Sequence, residues 1–211
     1  MLLDADDCQL VLVDYQVSLM PAIFDHQAVL ANAVRLARIA QAMQVPVWGT
    51  EQTPDKLGAN VPELQVAIDA AGGRTLAKNH FSAVADGLGE WLRPPLRKPA
   101  QGLAPRGNAR SLPKHMQKAE PEPEEGRNII VLAGCEAHVC LLQTALDLLE
   151  EEFDVWVVTD ACSARSERNR DAAFDRLAGN GAELVTTEMV AFEWLRTAEH
   201  PAFKTLHALI K

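Results

Sequence analysis

Asn128-Ile-Ile-Val-Leu-Ala133 runs directly into Gly134-Cys-Glu-Ala-His-Val-Cys140 and on to Leu141-Leu-Gln-Thr-Ala-Leu-Asp-Leu-Leu-Glu-Glu151. The first segment is a short, almost unbroken apolar run, which reads as a strand buried on both faces. From Val139 to Glu151, the residues Leu142, Ala145, Leu146 and Leu149 share one face at helical spacing, which predicts an amphipathic helix. A doubly buried strand feeding a helix is the repeating unit of a parallel sheet, because parallel neighbours need a crossover between them.

The unit recurs on both sides of this stretch. Towards the N-terminus, Gln9 to Asp14 (QLVLVD) reads as a buried strand, and Gln27 to Gln44 places Val29, Ala33, Leu36, Ala37, Ala40 and Met43 opposite Arg35, Arg38 and Gln41. Val45 to Thr50 is a second strand, with Pro46 near its start where a missing donor is tolerated. A loop with Pro54, Gly58 and Pro62 leads to a short helix from Glu63 to Ala70, and Arg74 to Lys78 is a third strand after Gly72-Gly73. A short helix spans Leu88 to Leu92. Beyond the central stretch, Asp154 to Thr159 and Glu183 to Thr187 read as strands flanking a helix from Glu167 to Ala178, and helical segments close the chain. The expectation is one domain over residues 1–211, an α/β protein built as a three-layer α/β/α sandwich around a mostly parallel, about six-stranded, Rossmann-like sheet. One stretch breaks the pattern. Arg93 to Arg127 holds seven prolines and dense charge with few bulky apolar residues, so it reads as an inserted loop, either a solvated excursion or a substrate lid or subunit contact.

Composition excludes several classes. A formal net charge of −9 opposes nucleic-acid binding, which needs a basic face. No apolar run reaches the roughly 18 residues of a membrane span. Met1 to Gln9 carries three aspartates and no basic residue, unlike a signal peptide, and the four cysteines are read as reduced thiols. A cytoplasmic location is expected.

In an open parallel sheet the ligand site lies beyond the carboxyl ends of the strands. Chemistry is therefore expected just after the strands, near Asp14, Thr50, Lys78, Gly134 and Asp160. The sequence has no G-x-S-x-G elbow, Walker loop, H-E-x-x-H or C-x-x-C. Cys140 follows a buried strand at the start of a helix, where free N–H groups favour a thiolate, although cysteine is also among the commonest buried residues. Asp14 and Lys78 end two other strands, and an acid, a cation and a thiol meeting at one sheet edge would suit nucleophilic catalysis. Tyr15, Gln16, Gln52 and Phe81 lie close enough to strand ends to line a substrate pocket.

These residues carry a resemblance. Asp14-Tyr-Gln16, Thr50-Glu-Gln-Thr-Pro54, Lys78-Asn-His-Phe-Ser82, Gly134-Cys-Glu-Ala-His-Val-Cys140, Asp160-Ala-Cys-Ser-Ala-Arg-Ser166 and Thr186-Thr-Glu188 are similar to the isochorismatase-like cysteine hydrolases. That family includes nicotinamidases and N-carbamoylsarcosine amidase. The nearest likeness is to its isochorismatase domain-containing subgroup, over about Leu10 to Leu195. The resemblance implies a triad of Asp14, Lys78 and Cys140. It also implies a non-proline cis peptide between Cys135 and Glu136, and an oxyanion site formed by the backbone N–H groups of Glu136 and Cys140. It implies hydrolysis of a small amide-type substrate through a thioester, and self-association into a homo-oligomer.

Departures narrow this further. Metal-binding members carry Asp-x-His after the second strand, where this chain has Thr50-Glu-Gln52, and its six histidines show no ligand spacing, so neither metal nor other cofactor is expected. Two other readings of the same residues stay open: a non-catalytic binding or scaffold protein on this fold, and a thiol-redox protein using Cys135 and Cys140. For the proline-rich stretch, replacing Pro99 to Glu124 by a short Gly/Ser linker is expected to leave a cooperative thermal transition. Loss of that transition would make the stretch an integral element.

Overall fold

The computed structural model describes residues 1–93 and 126–211. Six strands form one sheet: β1 (Cys8–Val13), β2 (Val47–Gln52), β3 (Arg74–Lys78), β4 (Ile129–Gly134), β5 (Asp154–Val158) and β6 (Glu183–Val185). Their order is β3-β2-β1-β4-β5-β6, and every pairing is parallel. The order reverses between β1 and β4, so the crossovers before and after that point cover opposite faces. Helices α1 (His26–Ala42), α2 (Pro54–Leu57), α3 (Pro62–Ala70), α4 (Leu88–Leu92), α5 (Leu142–Glu150), α6 (Glu167–Gly179), α7 (Thr187–Leu195) and α8 (Phe203–Ile210) flank the sheet. One layer gathers α1 with α3, α7 and α8, and the other pairs α5 with α6. The three-layer α/β/α expectation therefore holds.

The two central strands carry the longest apolar runs because both of their faces are covered: every residue of β1 and β4 is buried. Gln9 is the polar exception in β1. Its side-chain amide donates to the carbonyls of Leu92 and Arg127, and its oxygen accepts from the Trp48 indole, so the group is satisfied inside the core. The same bonds hold the two ends of the proline-rich stretch side by side. The inserted loop expected at 93–127 otherwise lies outside the described residues.

Strand boundaries differ from expectation for local reasons. β1 ends at Val13 because Asp14 takes a left-handed conformation, φ 55°, which cannot continue a strand. β2 begins at Val47 and continues through Glu51 and Gln52, two residues past Thr50, because β3 offers it partners as far as Lys78. β6 stops at Val185, since Thr186 caps α7 through its side chain. The helix expected at Val139–Glu151 begins earlier, as a π-helical turn over Ala137–Leu141 that passes into α5. Cys140 sits in that turn. Among the described residues no helix is long and apolar enough to cross a membrane.

Gly134 permits a close approach of β4 to β1. A Cβ there would lie 2.5 Å from Val13 Cβ and 2.6 Å from the Val13 carbonyl oxygen. Gly134→Ala is accordingly expected to destabilise the fold by about 1–3 kcal/mol through overpacking. Urea denaturation should show a lower midpoint with an unchanged slope. An unshifted midpoint would mean that β1 and β4 have room to part.

Candidate active site

The carboxyl ends of β1, β2, β3 and β4 converge on one small polar cluster. Register explains the convergence: Val13 pairs with Thr50 on one side and Gly134 on the other, and Gln52 pairs with Lys78. Asp14 follows β1, Lys78 ends β3, and the segment after β4 returns with Cys140. The structure thus brings together all three of Asp14, Lys78 and Cys140.

Asp14 and Lys78 form a buried ion pair, with Nζ 2.7 Å from Oδ2 and both side chains at 0 % exposure. Thr50 Oγ1 donates to the other carboxylate oxygen, Oδ1, at 2.7 Å. Oδ2 has no further hydrogen-bond partner among the described residues. The Lys78 ammonium is also given to the Gln52 side-chain oxygen at 2.7 Å and to the carbonyls of Phe81 and His80 at 3.1 and 3.3 Å. The Cys140 sulfur lies 4.0 Å from the same Gln52 oxygen, and the residue is 6 % exposed.

The thiol does not behave as a helix N-terminus alone would make it. Burial is the largest influence and pushes the Cys140 thiol up to about 12; the Asp14 carboxylate raises it as well, while Lys78 pulls it down. The helix start and Lys78 favour the thiolate and Asp14 opposes it; burial decides the balance, because removing sulfur from water disfavours its charged form more than one cation favours it. Cys140 is therefore a protonated thiol at rest.

The residues expected to line a pocket divide. Gln52 faces the cluster directly. Phe81 is 53 % exposed at the edge of the site, and its carbonyl helps hold Lys78. Tyr15 is fully buried, with its hydroxyl donating to the Ala161 carbonyl at 2.6 Å, and it presents no surface to a ligand. Gln16 is equally buried, and its side chain is spent on the backbone of Gln52 and Gly58. Both belong to the framework behind the site. Glu136 lies on the segment between β4 and the π-helical turn, joined to its neighbour by a cis Cys135–Glu136 peptide, and its carboxylate accepts from Arg165. Residue-type reasoning missed the anchoring bond from Thr50 and the carbonyls of His80 and Phe81. The first had a signal in its place at a strand end; backbone acceptors leave none in a sequence.

The remaining candidates lie apart from this chemistry. His80 pairs with Asp86, and His138 meets the Asn169 side chain. All four cysteines are buried and free. Burial pushes Cys135 up to about 12 and Cys8 up to about 11.

An isochorismatase domain model matches residues 123–189. Isochorismatase domain-containing protein 2 of Homo sapiens is 36% identical over 202 residues, covering 96% of this chain and 82% of that protein. The structure described as MAR1 ribonuclease from Caenorhabditis elegans superimposes with a TM-score of 0.81 at 28% identity, covering 100% of this chain and 92% of that one. The YcaC structure from Escherichia coli, described as an octameric hydrolase of unknown specificity, gives 0.76 at 25% identity, covering 99% and 90%. Members of the matched family are hydrolases. With over a third of its residues identical across nearly its whole length, and the six-stranded parallel sheet in common, this chain belongs to the isochorismatase family of hydrolases.

Proposed function

We propose that the protein is a cysteine-dependent hydrolase of small amide-type carbon–nitrogen bonds, working through a thioester with Cys140. The observation that carries this reading is the sealed Asp14–Lys78 pair, 2.7 Å apart, beside a buried thiol. A binding protein gains little from burying two charges, each of which loses several kcal/mol of hydration.

In this mechanism Asp14 Oδ2 takes the thiol proton as sulfur attacks the carbonyl carbon, so a free thiolate never accumulates. Lys78 balances the negative charge shared by Asp14 and sulfur. The backbone N–H groups of Glu136 and Cys140 receive the oxyanion, each worth a few kcal/mol in such a role. Asp14 then returns the proton to the leaving nitrogen, and the amine departs, leaving an acyl-thioester. Water enters, gives its proton to Asp14 and attacks the thioester. Collapse of that second intermediate releases the acid and restores the thiol. No metal or other cofactor is required for any step. The narrow access to Cys140 favours a small substrate. Its net charge of −9 weighs against RNA as that substrate, although one structural neighbour carries the name ribonuclease. The reading places the enzyme in the cytoplasm.

A screen of small amides, ureas and carbamoyl compounds for ammonia release is expected to find turnover. Cys140→Ala should lower kcat/KM by at least about a thousandfold, and Asp14→Asn by a comparable factor with the thermal transition kept. Activity surviving in Cys140→Ala would end the proposal. Limiting iodoacetamide should label Cys140 before the other three thiols, because they are still more enclosed. Its labelling rate should keep climbing past about pH 10 instead of levelling near an ordinary thiol's roughly 8.5, since the thiol is pushed up to about 12. We also infer a homo-oligomer, in keeping with the octamer named for YcaC; light scattering that finds only monomer at working concentration would contradict it.

A further inference from the structure

We propose that the outer face of α7 is the surface through which two copies of this chain pair, antiparallel, about a two-fold axis at Phe192. The inference rests on the self-association proposed above and gives it a surface.

α7 is apolar on two sides. Val190, Ala191, Trp194 and Leu195 are buried on its inner side, where the helix packs on α1 and α8. On its outer side Met189 and Phe192 are exposed. A surface helix ordinarily keeps one apolar stripe and gives its other face to polar residues. Leu2, also exposed, joins Met189 and Phe192 in lining a groove of about 460 Å³, to which Glu188, Glu193 and Arg196 contribute as well. Scattered apolar side chains on a surface are ordinary, whereas apolar side chains gathered in a groove among charges mark a contact surface. The groove contains no thiol and shares no residue with the cluster around Cys140, so it is not a substrate pocket for the same chemistry.

The order of charges along this face selects a second copy as the occupant. Glu188 stands four residues before Phe192, and Arg196 four residues after it. A two-fold axis crossing α7 at Phe192 sets Glu188 opposite the partner's Arg196 and Arg196 opposite the partner's Glu188. The two Phe192 rings then meet between the ion pairs, an apolar centre with a charged rim. Parallel pairing of the same face would set like charges together. The face is thus complementary to itself once turned end for end.

Both charges are available for such contacts. Among the described residues neither Glu188 nor Arg196 has an ion-pair partner. Arg196 gives Nη2 to the carbonyls of Leu2 and Leu3, at 3.2 and 2.7 Å, and its Nε and Nη1 have no partner among the described residues. Those bonds, with the Leu3 N–H donated to Glu193 at 2.8 Å, fasten the Leu2 wall of the groove before any partner arrives. A face already ordered in the single chain loses little entropy on pairing.

The test is the assembly state of the full chain by sedimentation velocity, in proteins whose thermal transition is retained. Phe192→Glu sets two carboxylates against each other at the axis, and should shift the protein to smaller species with pairing weakened about thirtyfold or more. Glu188→Arg and Arg196→Glu, each alone, replace two attractions by two repulsions and should weaken pairing about tenfold or more. Mixed together, these two variants should recover pairing as a heterodimer, resolved by native mass spectrometry, because one chain then offers two cations to the other's two carboxylates. Antiparallel contact of the two positions predicts that rescue, and a merely structural role for either residue does not. An assembly unmoved by Phe192→Glu and Glu188→Arg, or single variants that do not rescue each other, would overturn the proposal. If Arg196→Glu fails to fold, Phe192→Glu and Glu188→Arg decide. A wild-type chain that stays monomeric at working concentration removes self-association itself, whereas a stable assembly indifferent to these changes removes only this surface.

Discussion

Burying the Asp14 carboxylate and the Lys78 ammonium strips each of its water, and the architecture at this end of the sheet follows from replacing what was lost. Their mutual attraction returns much of the energy only if the geometry is good and the remaining lone pairs and protons find partners. Thr50 serves the carboxylate, while Gln52 and two consecutive carbonyls serve the ammonium. These groups come from the ends of three adjacent strands, so parallel register is the condition for the pair to exist. A slip by one residue would turn Lys78 to the other face of β3 and leave Asp14 alone.

The fourth strand supplies the sulfur under a different constraint. β4 must lie hard against β1 for Cys140 to share a site with Asp14, and Gly134 provides the space by having no side chain. The chain then passes into a π-helical turn instead of an ordinary first turn. Such turns are uncommon and gather at functional sites, where an extra residue per turn re-aims a side chain. The strand order places this entry at the reversal point, where crossovers leave a crevice uncovered.

Much of this was legible in the chain. Continuous apolar runs such as Ile129 to Ala133 announce doubly covered strands, and residues at the ends of such strands mark where a site must lie. What could not be read was how buried polar groups pair with distant partners. Tyr15 follows a strand end in sequence, yet its hydroxyl is satisfied by Ala161, 146 positions away. Gln52 looked like a ligand contact because β2 seemed to end before it; pairing with β3 extends the strand and turns the side chain to Lys78. The state of the thiol stayed open in the sequence for a related reason. A helix start is a local feature that lowers proton affinity, whereas enclosure by four strand ends is a tertiary one that raises it, and the second is larger.

The near-closure of Cys140 also bears on how the protein meets oxidants. Peroxide attacks a thiolate far faster than a thiol, and the product, a sulfenic acid, leads by further oxidation to states that cells seldom reverse. A cysteine that is 6 % exposed and whose thiol is pushed up to about 12 offers peroxide little. The neighbouring Cys135 is buried and equally reluctant to ionise, so it is poorly suited to act as a resolving partner. The same enclosure that disfavours ionisation thus also guards the sulfur against oxidation.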